Sequence, residues 1–530
     1  MSAYACEPGL GSEIGVGWHW VLEMSRYFEL WVLTRESNRG TIEPWIAEHP
    51  EYAKINFVYF DLPHWARRWK RGMRGVRIYY MLWQWLSDGI VKRTMQENGI
   101  DTYHLLTYGN AMWPASRYGM KQRFVWGPVS AGVMLPKFLT KHFSWKSRLK
   151  EVAQRVMRWL LPLNVGFRRR CRHADLILCK TDDTIGRVPE KWRGKCVQMT
   201  DVAVEWRDVE SYLTPKRYDD EKINYVAAGT LVGWRTMDVL IDAWAAMSLT
   251  EDLSHTERTE NTEDAVASPA EDSISDVLSP TDDTDCSDSN SSFSLIRSLT
   301  SSKIARQIDT DFDASHVNSR QTTVNITPFG RDFCSAQHST SKLDSAFAYR
   351  KKSTVNEQQS TVNAQLSTLN FIAKGSKTFG SQLLTIVGDG PERGRLERLV
   401  DELGVRESVR FVGQVDMETY YSYIAQADVV VNPCFREGAV TVSFDSMAMG
   451  KPLICFDTGG YTHYFKPEYS RVIKGVKSRT EAVEQLARAM AELADRELIA
   501  RMGAEAKRNS ELYDWEHKGE MIRGELKVES

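Results

Sequence analysis

Short runs of apolar residues recur along the chain, and longer amphipathic stretches separate them. Apolar runs that do not alternate with polar residues are typical of strands buried on both faces of a parallel sheet. The first half contains such runs at Leu30–Thr34, Ile55–Phe60, Thr102–Thr107, Arg123–Gly127 and Leu176–Lys180. The second half contains them at Ile223–Gly229, Leu383–Gly390, Val409–Gly413, Asp428–Pro433 and Pro452–Asp457. This alternation in two blocks predicts an α/β protein with two facing, doubly wound, Rossmann-like domains.

A tract of different composition, residues 249–379, interrupts the second block. It is dominated by Ser, Thr, Asp, Asn and Gln, it contains no Trp, and its apolar residues follow no lasting period. Such a segment cannot bury enough surface to offset its ordering entropy, so we expect a disordered surface insert. An independently folded module is the alternative. The two domains are therefore expected at 1–201 and at 202–248 together with 380–512.

Composition narrows the class of protein. The 530 residues are 42% hydrophobic and 26% charged with a net charge of −2, which is typical of a globular protein and unfavourable for a nucleic-acid partner. Eight scattered cysteines without a CxxC pair argue against zinc and against a disulfide framework, and they indicate a reducing compartment. The sequence starts without a signal-peptide pattern and contains no apolar stretch of membrane-spanning length, so we expect a cytoplasmic protein.

The most informative segment is VVVNPCFREGAVTVSFDSMAMGKPLICFDTGG, residues 429–460. A buried strand ends in a short loop that contains Glu437, Gly438 and Ala439, and a helix follows from about Val440. The loop lies at the ligand-binding end of the predicted sheet. Because the start of a helix offers free backbone N–H groups and a positive dipole end, we expect an anion site here, suited to a diphosphate.

Two acidic residues flank the start of this helix. Glu437 lies in the loop and Asp445 lies about a turn and a half into the helix, so both could face the crevice beyond the sheet. In that position their carboxylates would accept hydrogen bonds from ribose or hexose hydroxyls. The alternative is a carboxylate that only complements the helix dipole, together with an ordinary exposed Asp.

The same segment resembles glycosyltransferase family 4, whose members carry two Glu residues in an EGFGL…EAMACGKPVV…GG setting; here Asp445 replaces the second Glu. The resemblance implies a GT-B fold with an inter-domain cleft, a nucleoside diphosphate sugar as co-substrate, retention of anomeric configuration and no bound metal. It also implies that Glu437 contacts the transferred sugar and that Asp445 holds the ribose of the nucleotide. Because Asp is one methylene shorter than Glu, we expect a weaker or shifted ribose contact.

Further segments of the second half resemble the same family. The stretch IVGDGPERGRLERLV, which contains Gly388 and Gly390, is similar to the family's VGDGPER strand and helix. The stretch VRFVGQV, which contains Gly413, is similar to its base-binding strand and turn. Glycine allows the backbone to approach a ligand closely, so these three glycines are assigned to the donor site.

The stretch YVAAGTLVGWRTMDVLIDAW, residues 225–244, resembles the family's GRLxxxKG segment, in which Arg and Lys neutralise the diphosphate. Gly229 is retained, Thr230 occupies the Arg position, Arg235 the Lys position and Thr236 the Gly position. One cation is therefore lost and the other is substituted. Because stabilisation of a leaving group is largely electrostatic, this departure puts catalytic strength in doubt more than fold.

The N-terminal stretch CEPGLGSEIGVGW, residues 6–18, resembles the family's loop after the first strand, but the strand itself is almost missing before it. We therefore expect an N-terminal truncation or a misassigned start. Gly9, Gly11 and Gly15 also form a weak dinucleotide-binding pattern, although no apolar strand precedes them and no acidic ribose-binding residue follows, which disfavours an NAD enzyme. Gly11 and Gly15 are instead assigned to donor binding.

His104 lies in YHLLTYGN, residues 103–110, a stretch that resembles a family segment lining the cleft. The resemblance makes it a candidate for the wall near the sugar, and we include it with Glu437 and Arg235 among the predicted catalytic residues. A structural histidine at the end of a strand is the alternative.

Two basic, aromatic stretches, residues 64–86 and 145–172, indicate where an acceptor could bind. Basic helices with Trp and Leu on the other face can lie in an anionic membrane interface. The alternative is a helix that packs on the domain with a solvated basic face. Interleaved Arg and aromatic residues also occur in proteins that bind single-stranded nucleic acid, but the overall charge disfavours that partner.

Together these features predict a hexosyltransferase that moves a sugar from a UDP or GDP sugar to a lipid-linked or polysaccharide acceptor, in the cytoplasm or at the inner face of the membrane. As in GT-B enzymes, residues 513–530 are expected to form a helix that packs back on the N-terminal domain. The alternative is a non-catalytic relative that binds nucleotide or glycan, or that scaffolds a polysaccharide-assembly complex.

Overall fold

A computed structural model describes residues 1–10, 12–63, 75–140, 145–213, 222–247, 382–436 and 440–526. The described parts of both domains belong to one compact unit. Several features predicted above lie outside these ranges: the insert 249–379, the residues Gly11, Glu437, Gly438 and Ala439, and the first part of the basic stretch, 64–74.

Twelve strands, all in parallel pairs, form the sheets of the described residues. The N-terminal strands are β1 (Trp31–Thr34), β2 (Asn56–Tyr59), β3 (Thr102–Leu105), β4 (Arg123–Val129), β5 (Ala174–Cys179) and β6 (Cys196–Gln198). The C-terminal strands are β7 (Ile223–Ala228), β8 (Gln382–Val387), β9 (Val409–Gly413), β10 (Val429–Asn432), β11 (Leu453–Phe456) and β12 (Ser470–Ile473). The C-terminal sheet has the order β12-β11-β10-β7-β8-β9, and the N-terminal sheet consists of the pair β1-β2 and the series β3-β4-β5-β6.

Helices connect the strands and cover the sheets. The N-terminal helices are α1 (Ser12–Tyr27), α2 (Arg39–Glu48), α3 (Val76–Leu86), α4 (Asp88–Glu97), α5 (Trp145–Leu160), α6 (Val165–His173), α7 (Asp182–Arg187) and α8 (Trp206–Val209). The C-terminal helices are α9 (237–247), α10 (Arg393–Glu402), α11 (Met417–Gln426), α12 (Thr441–Ala448), α13 (Tyr461–Tyr464), α14 (Arg479–Glu492), α15 (Arg496–Ser510) and α16 (Trp515–Glu525).

Every apolar run predicted to be a strand forms one. Most of these strands are largely buried, whereas the edge strands β2 and β9 are only partly buried. The strands β6 and β12 were not predicted. Strand β6 is three residues long and only half-buried, and β12 contributes just two buried positions, so neither shows the continuous apolar run of a central strand. Both lie at an edge of their sheet.

The first residues of the chain connect the two parts of the N-terminal sheet. Ser2 donates its backbone N–H to the carbonyl of His104 at 2.7 Å, and its own carbonyl accepts from Leu106 at 3.1 Å. On the other side, Ala3 donates to the carbonyl of Leu33 at 2.9 Å. A single residue, Ser2, therefore bridges β1 and β3 where the sequence predicted a nearly missing strand.

The prediction that residues 6–18 form a loop is wrong for their second part, because α1 begins at Ser12. A Cβ on Gly15 would lie 2.0 Å from the carbonyl oxygen of Leu10, and one on Gly17 would lie 2.0 Å from that of Ala5. These two glycines therefore let the helix pack directly on the backbone of the segment before it. Gly9 has a φ of +70° in the preceding turn, which is exposed.

The last helix, α16, packs against α1 of the N-terminal domain. The rings of Trp515 and Trp20 lie edge to face with their centroids 5.9 Å apart. A Cβ on Gly519 would lie 2.4 Å from the Tyr27 ring, so glycine is needed for this approach. Between the helices, the buried Lys518 donates to the backbone carbonyls of Thr200 and Val202.

No helix in the described ranges has the length and apolar character to cross a membrane. The aromatic residues of α3, which the sequence offered as a membrane surface, are largely core residues: Tyr79, Tyr80 and Trp83 are each at most 1% exposed. Trp85 faces outward at 52% exposure, together with the apolar residues Ile78 and Leu86 at 53% and 58%. The buried rings pack on Tyr4 near the start of the chain, which is why they are unavailable to a lipid surface.

Candidate functional site

The glycines assigned to the donor site meet at the C-terminal edge of the second sheet. Gly388 follows β8 and donates its N–H to the carbonyl of Gly413, the last residue of β9, at 2.8 Å. A Cβ on Gly388 would lie 2.2 Å from the carbonyl oxygen of Gly229, which follows β7, and one on Gly390 would lie 2.4 Å from that of Leu231. Residues with side chains would force these strand ends apart, so the glycines create a tightly closed backbone surface.

Arg235 reaches this surface. Its guanidinium Nη1 lies 2.0 Å from the place that a Cβ on Gly229 would occupy, so the cation lies directly over that glycine. The guanidinium carbon also lies 5.4 Å from the centre of the Trp234 ring. Thr230, at the position where the resemblance has Arg, is exposed at the same edge. We call the surface formed by Gly229, Gly388, Gly390 and Gly413 the glycine edge. The structure places the cation of Arg235 at this edge and leaves the neutral side chain of Thr230 at the position of the second cation.

Thr236 has a left-handed backbone conformation, with φ +53° and ψ +37°. This conformation is unfavourable for a β-branched residue and natural for glycine, which explains why the resembling family has Gly at this position. The Thr236 side chain is buried and donates a hydrogen bond to the carbonyl of Pro433. The substitution thus exchanges backbone freedom for a direct link to the loop after β10.

Side chains from three elements hold the loop after β10 on both sides of residues 437–439. Asn432 donates to the Tyr461 hydroxyl at 2.7 Å, and that hydroxyl lies 3.3 Å from the Ser443 hydroxyl in α12. Before the loop, the Phe435 ring stacks on Phe456 with centroids 4.0 Å apart. Both flanks of the segment that contains Glu437 are therefore fixed by packing.

Arg436, directly before Glu437 in the chain, is held by the N-terminal domain. Its Nη1 lies 2.7 Å from a carboxylate oxygen of Glu151, and its Nη2 donates to the side-chain oxygen of Gln154. Glu151 is 5% exposed, so this ion pair is largely removed from water. Arg436 lies within the segment 429–460 and Glu151 within the basic stretch 145–172, but their pairing was not predicted.

Helix α12 begins beside the same loop. Val440 is its N-cap residue, with extended backbone, and has no side-chain oxygen to bond the first-turn N–H groups. The helix is buried from Val442 to Ala448, and Gly450 follows its end with φ +66°. The helix start accordingly has the features expected of an anion site.

Asp445 is not an ordinary exposed Asp, because only 1% of it is accessible to solvent. Its carboxylate accepts a hydrogen bond of 2.6 Å from the hydroxyl of Tyr420 in α11. Burial and the adjacent Asp445 carboxylate raise the pKa of Tyr420 well above its usual value, so the phenol remains a donor. Tyr420 was missed from the sequence, since an aromatic residue on an amphipathic helix carries no signal of its partner.

His104 is enclosed within the N-terminal domain. Its Nε2 lies 2.7 Å from the carbonyl oxygen of Gly127, and its ring lies edge to face against Trp20. Burial lowers the pKa of His104 to about 4, so the imidazole is neutral and donates to that carbonyl. These surroundings are those of a structural histidine, the alternative considered from the sequence.

Residues 369–509 match the family described as "Glycosyl transferases group 1". This part of the chain is a group 1 glycosyltransferase domain. The match covers Gly388, Gly390, Gly413, Tyr420, Asp445 and the loop after β10, whereas Gly229, Arg235 and the N-terminal domain lie before it.

Curated relatives resemble parts of this chain. Lipopolysaccharide core biosynthesis glycosyltransferase LpsD of Rhizobium meliloti (strain 1021) is 37% identical over 83 residues, which are 16% of this chain and 24% of the relative. A D-inositol 3-phosphate glycosyltransferase of Nocardia farcinica (strain IFM 10152) is 28% identical over 147 residues, 27% of this chain and 32% of the relative. The matching stretch thus spans 24% of the length of the first relative and 32% of the second.

A solved structure extends the comparison to the whole chain. Sucrose-phosphate synthase (tll1590) from Thermosynechococcus elongatus superposes with a TM-score of 0.52 at 13% sequence identity, covering 99% of this chain and 95% of that protein. At this identity the likeness concerns the fold alone. The predicted GT-B fold with two parallel-sheet α/β domains is confirmed.

Proposed function

We propose that this protein transfers a hexosyl group from a nucleoside diphosphate sugar to a lipid-linked or polysaccharide acceptor with retention of configuration. The observation that carries the proposal is the position of Arg235 over Gly229, at the glycine edge next to the start of α12. A cation and a helix N-terminus at one strand edge suit the two phosphates of such a donor.

Departure of the nucleoside diphosphate is the step that needs electrostatic help. Charge develops on the leaving phosphate oxygen, where the Arg235 guanidinium and the backbone N–H groups at Val440 stabilise it. Glu437, with Gly438 and Ala439, is assigned to orienting the transferred sugar. Closure of the two domains excludes water, so that an acceptor hydroxyl rather than solvent captures the sugar.

The nucleoside part of the donor is assigned to the other end of the same edge. Gly388, Gly390 and Gly413 allow the base and ribose to approach the backbone, and Asp445 accepts hydrogen bonds from the ribose hydroxyls. The Tyr420 hydroxyl donates a hydrogen bond to the buried Asp445 carboxylate and fixes its orientation.

We assign no catalytic role to His104. A general acid or base works best with a pKa near the working pH, whereas burial lowers the pKa of His104 to about 4. Its hydrogen bond to Gly127 ties two neighbouring strands together instead. Gly15, whose missing side chain is explained by helix packing, needs no ligand either.

The test is release of nucleotide from a panel of UDP and GDP sugars in the presence of a membrane extract as acceptor source. We expect release from at least one donor, loss of that release in Glu437→Ala, and a reduction of about 100-fold or more in Arg235→Ala, the size found when one charged transition-state contact is removed. Arg93→Ala, which changes an exposed arginine of α4, is the matched control.

A second candidate function is a non-catalytic nucleotide-binding relative, which the neutral Thr230 at a cation position favours. Tight nucleotide binding without turnover of any donor and acceptor pair would support it. Turnover that Thr230→Arg increases would instead identify an enzyme whose second cation has been lost.

A further inference from the structure

Helix α5 (Trp145–Leu160) turns its apolar face outward. Leu149, Val152, Val156 and Trp159 are 61%, 55%, 48% and 70% exposed. Their spacing alternates between three and four residues, which places them on one side of the helix. Large apolar side chains on a helix packed on a domain normally face the core, so this orientation requires an explanation.

The polar face of α5 is the one that holds the helix on the protein. Glu151 pairs with Arg436 at 2.7 Å, and Arg158 pairs with Asp183 in α7. Arg155 donates to the backbone carbonyl of Leu135. Ion pairs and hydrogen bonds have thus replaced the usual hydrophobic contact, and the apolar face remains available for something outside the domain.

The surroundings of this face identify its chemistry. Beyond α5 the apolar surface continues with Leu163 and Val165, which are 69% and 79% exposed. Exposed cations border it: Arg148, Lys150, Arg168, Arg169 and Arg172. The one acidic residue in 145–172 is Glu151, and it is buried. The occupant must therefore be apolar and negatively charged at its surface.

We propose that the outward face of α5, with Leu163 and Val165, docks on a membrane that contains anionic lipids. The apolar side chains enter the boundary between headgroups and acyl chains, and the bordering arginines and lysine contact lipid phosphates. The inference rests on the proposed function only in that a lipid-linked acceptor would explain why a glycosyltransferase docks there. It narrows the earlier expectation that 145–172 can lie in an anionic membrane interface to the outward face of α5, and it disagrees with the alternative, in which the apolar face packed on the domain.

The experiment is flotation of the full chain with vesicles of phosphatidylcholine, with and without phosphatidylglycerol. We expect binding to the anionic vesicles and a reduction of the partition coefficient by about 100-fold or more in Val152→Ser/Val156→Ser/Trp159→Ser, because three apolar side chains no longer leave water. The control Met417→Ser/Leu512→Ser changes exposed apolar residues elsewhere, and it should float like the unaltered protein.

A charge variant tests the electrostatic part. Arg169→Gln/Arg172→Gln should weaken binding to anionic vesicles by about fivefold per charge and leave binding to neutral vesicles unchanged. Equal flotation of the triple variant and its control would overturn the proposal. So would a concentration-dependent dimer in light scattering that the triple variant abolishes, since the occupant would then be a second copy of the chain.

Failure of this inference and failure of the proposed function can be told apart. Flotation needs no turnover, so Glu437→Ala should float like the unaltered protein even if nucleotide release is lost. Conversely, the triple serine variant should keep its affinity for nucleotide, because its three residues lie on the exposed side of α5.

Discussion

The left-handed conformation of Thr236 provides a sharp test of the site geometry. Confining a residue with a Cβ to this region costs roughly 1–2 kcal/mol, and the Thr236 hydroxyl offsets part of that cost through its buried hydrogen bond to Pro433, a bond with a net value of about 1 kcal/mol. Thr236→Ala keeps the backbone cost, loses the bond and leaves a buried carbonyl without this donor. We expect it to lower the free energy of unfolding by about 1–3 kcal/mol.

Thr236→Gly loses the same hydrogen bond but removes the backbone cost. Glycine also raises the entropy of the unfolded state, which costs about 0.5–1 kcal/mol. The free energy of unfolding of Thr236→Gly should therefore be within about 1 kcal/mol of that of the unaltered protein. The glycine variant should consequently be more stable than the alanine variant by about 1 kcal/mol, the reverse of the usual order at a helical position. Urea unfolding followed by circular dichroism measures the difference.

A matched pair shows whether the order belongs to this position. Gly40 lies in α2 with no heavy atom within 4 Å of the place for a Cβ, so Gly40→Ala should stabilise the protein by about 0.5–1 kcal/mol. If Thr236→Ala proves as stable as Thr236→Gly, the left-handed conformation does not exist in solution. The explanation for the glycine that the resembling family has at this position then fails too.

Three further predictions concern His104, Asp445 and the link between the domains. Burial lowers the pKa of His104 to about 4, whereas the histidine of the unfolded chain titrates near 6.5, so its stabilising contribution is lost as pH falls from about 6.5 to about 4. Over this window the unfolding free energy of the protein should drop by up to about 3 kcal/mol more than that of His104→Gln. Parallel pH profiles of the two proteins would contradict the burial of a neutral His104. Tyr420→Phe should weaken nucleotide binding about 10-fold or more in calorimetry, because the Asp445 carboxylate loses a charge-assisted hydrogen bond, whereas Tyr423→Phe on the same helix should bind normally. Glu151→Gln should lower kcat about 10-fold, because Arg436, which precedes Glu437 in the chain, loses its buried counter-charge. Arg172→Gln in the neighbouring helix should leave kcat unchanged. An unchanged kcat in Glu151→Gln would show that the ion pair between Glu151 and Arg436 only joins the domains.

Local patterns along the chain were sufficient for ten of the twelve strands in the described residues. An apolar run such as Val429–Asn432 is buried on both faces wherever it lies in a parallel sheet, so its environment can be read from its own residues. Gly388 and Gly390 were recognisable from the family resemblance, and in the structure the close approach of backbone leaves no room for a side chain at either position.

Contacts between distant residues were decided only by the tertiary structure. The partner of Asp445 is a tyrosine 25 positions earlier, and the partner of Thr236 is a carbonyl 197 positions later. Neither bond leaves a mark on the local pattern, because hydrogen-bond geometry depends on which elements the fold brings together. The same holds for His104, whose burial rather than its motif determines its protonation.

Helix α5 shows most clearly which features follow from the sequence alone and which depend on the tertiary structure. Its period of apolar residues establishes that it has one apolar face, since periodicity is a property of the chain alone. Which way that face points depends on Arg436, which lies 285 positions beyond Glu151 and draws the polar face inward. The sequence therefore determines that the helix is amphipathic, whereas the outward orientation of its apolar face results from the arrangement of the two domains.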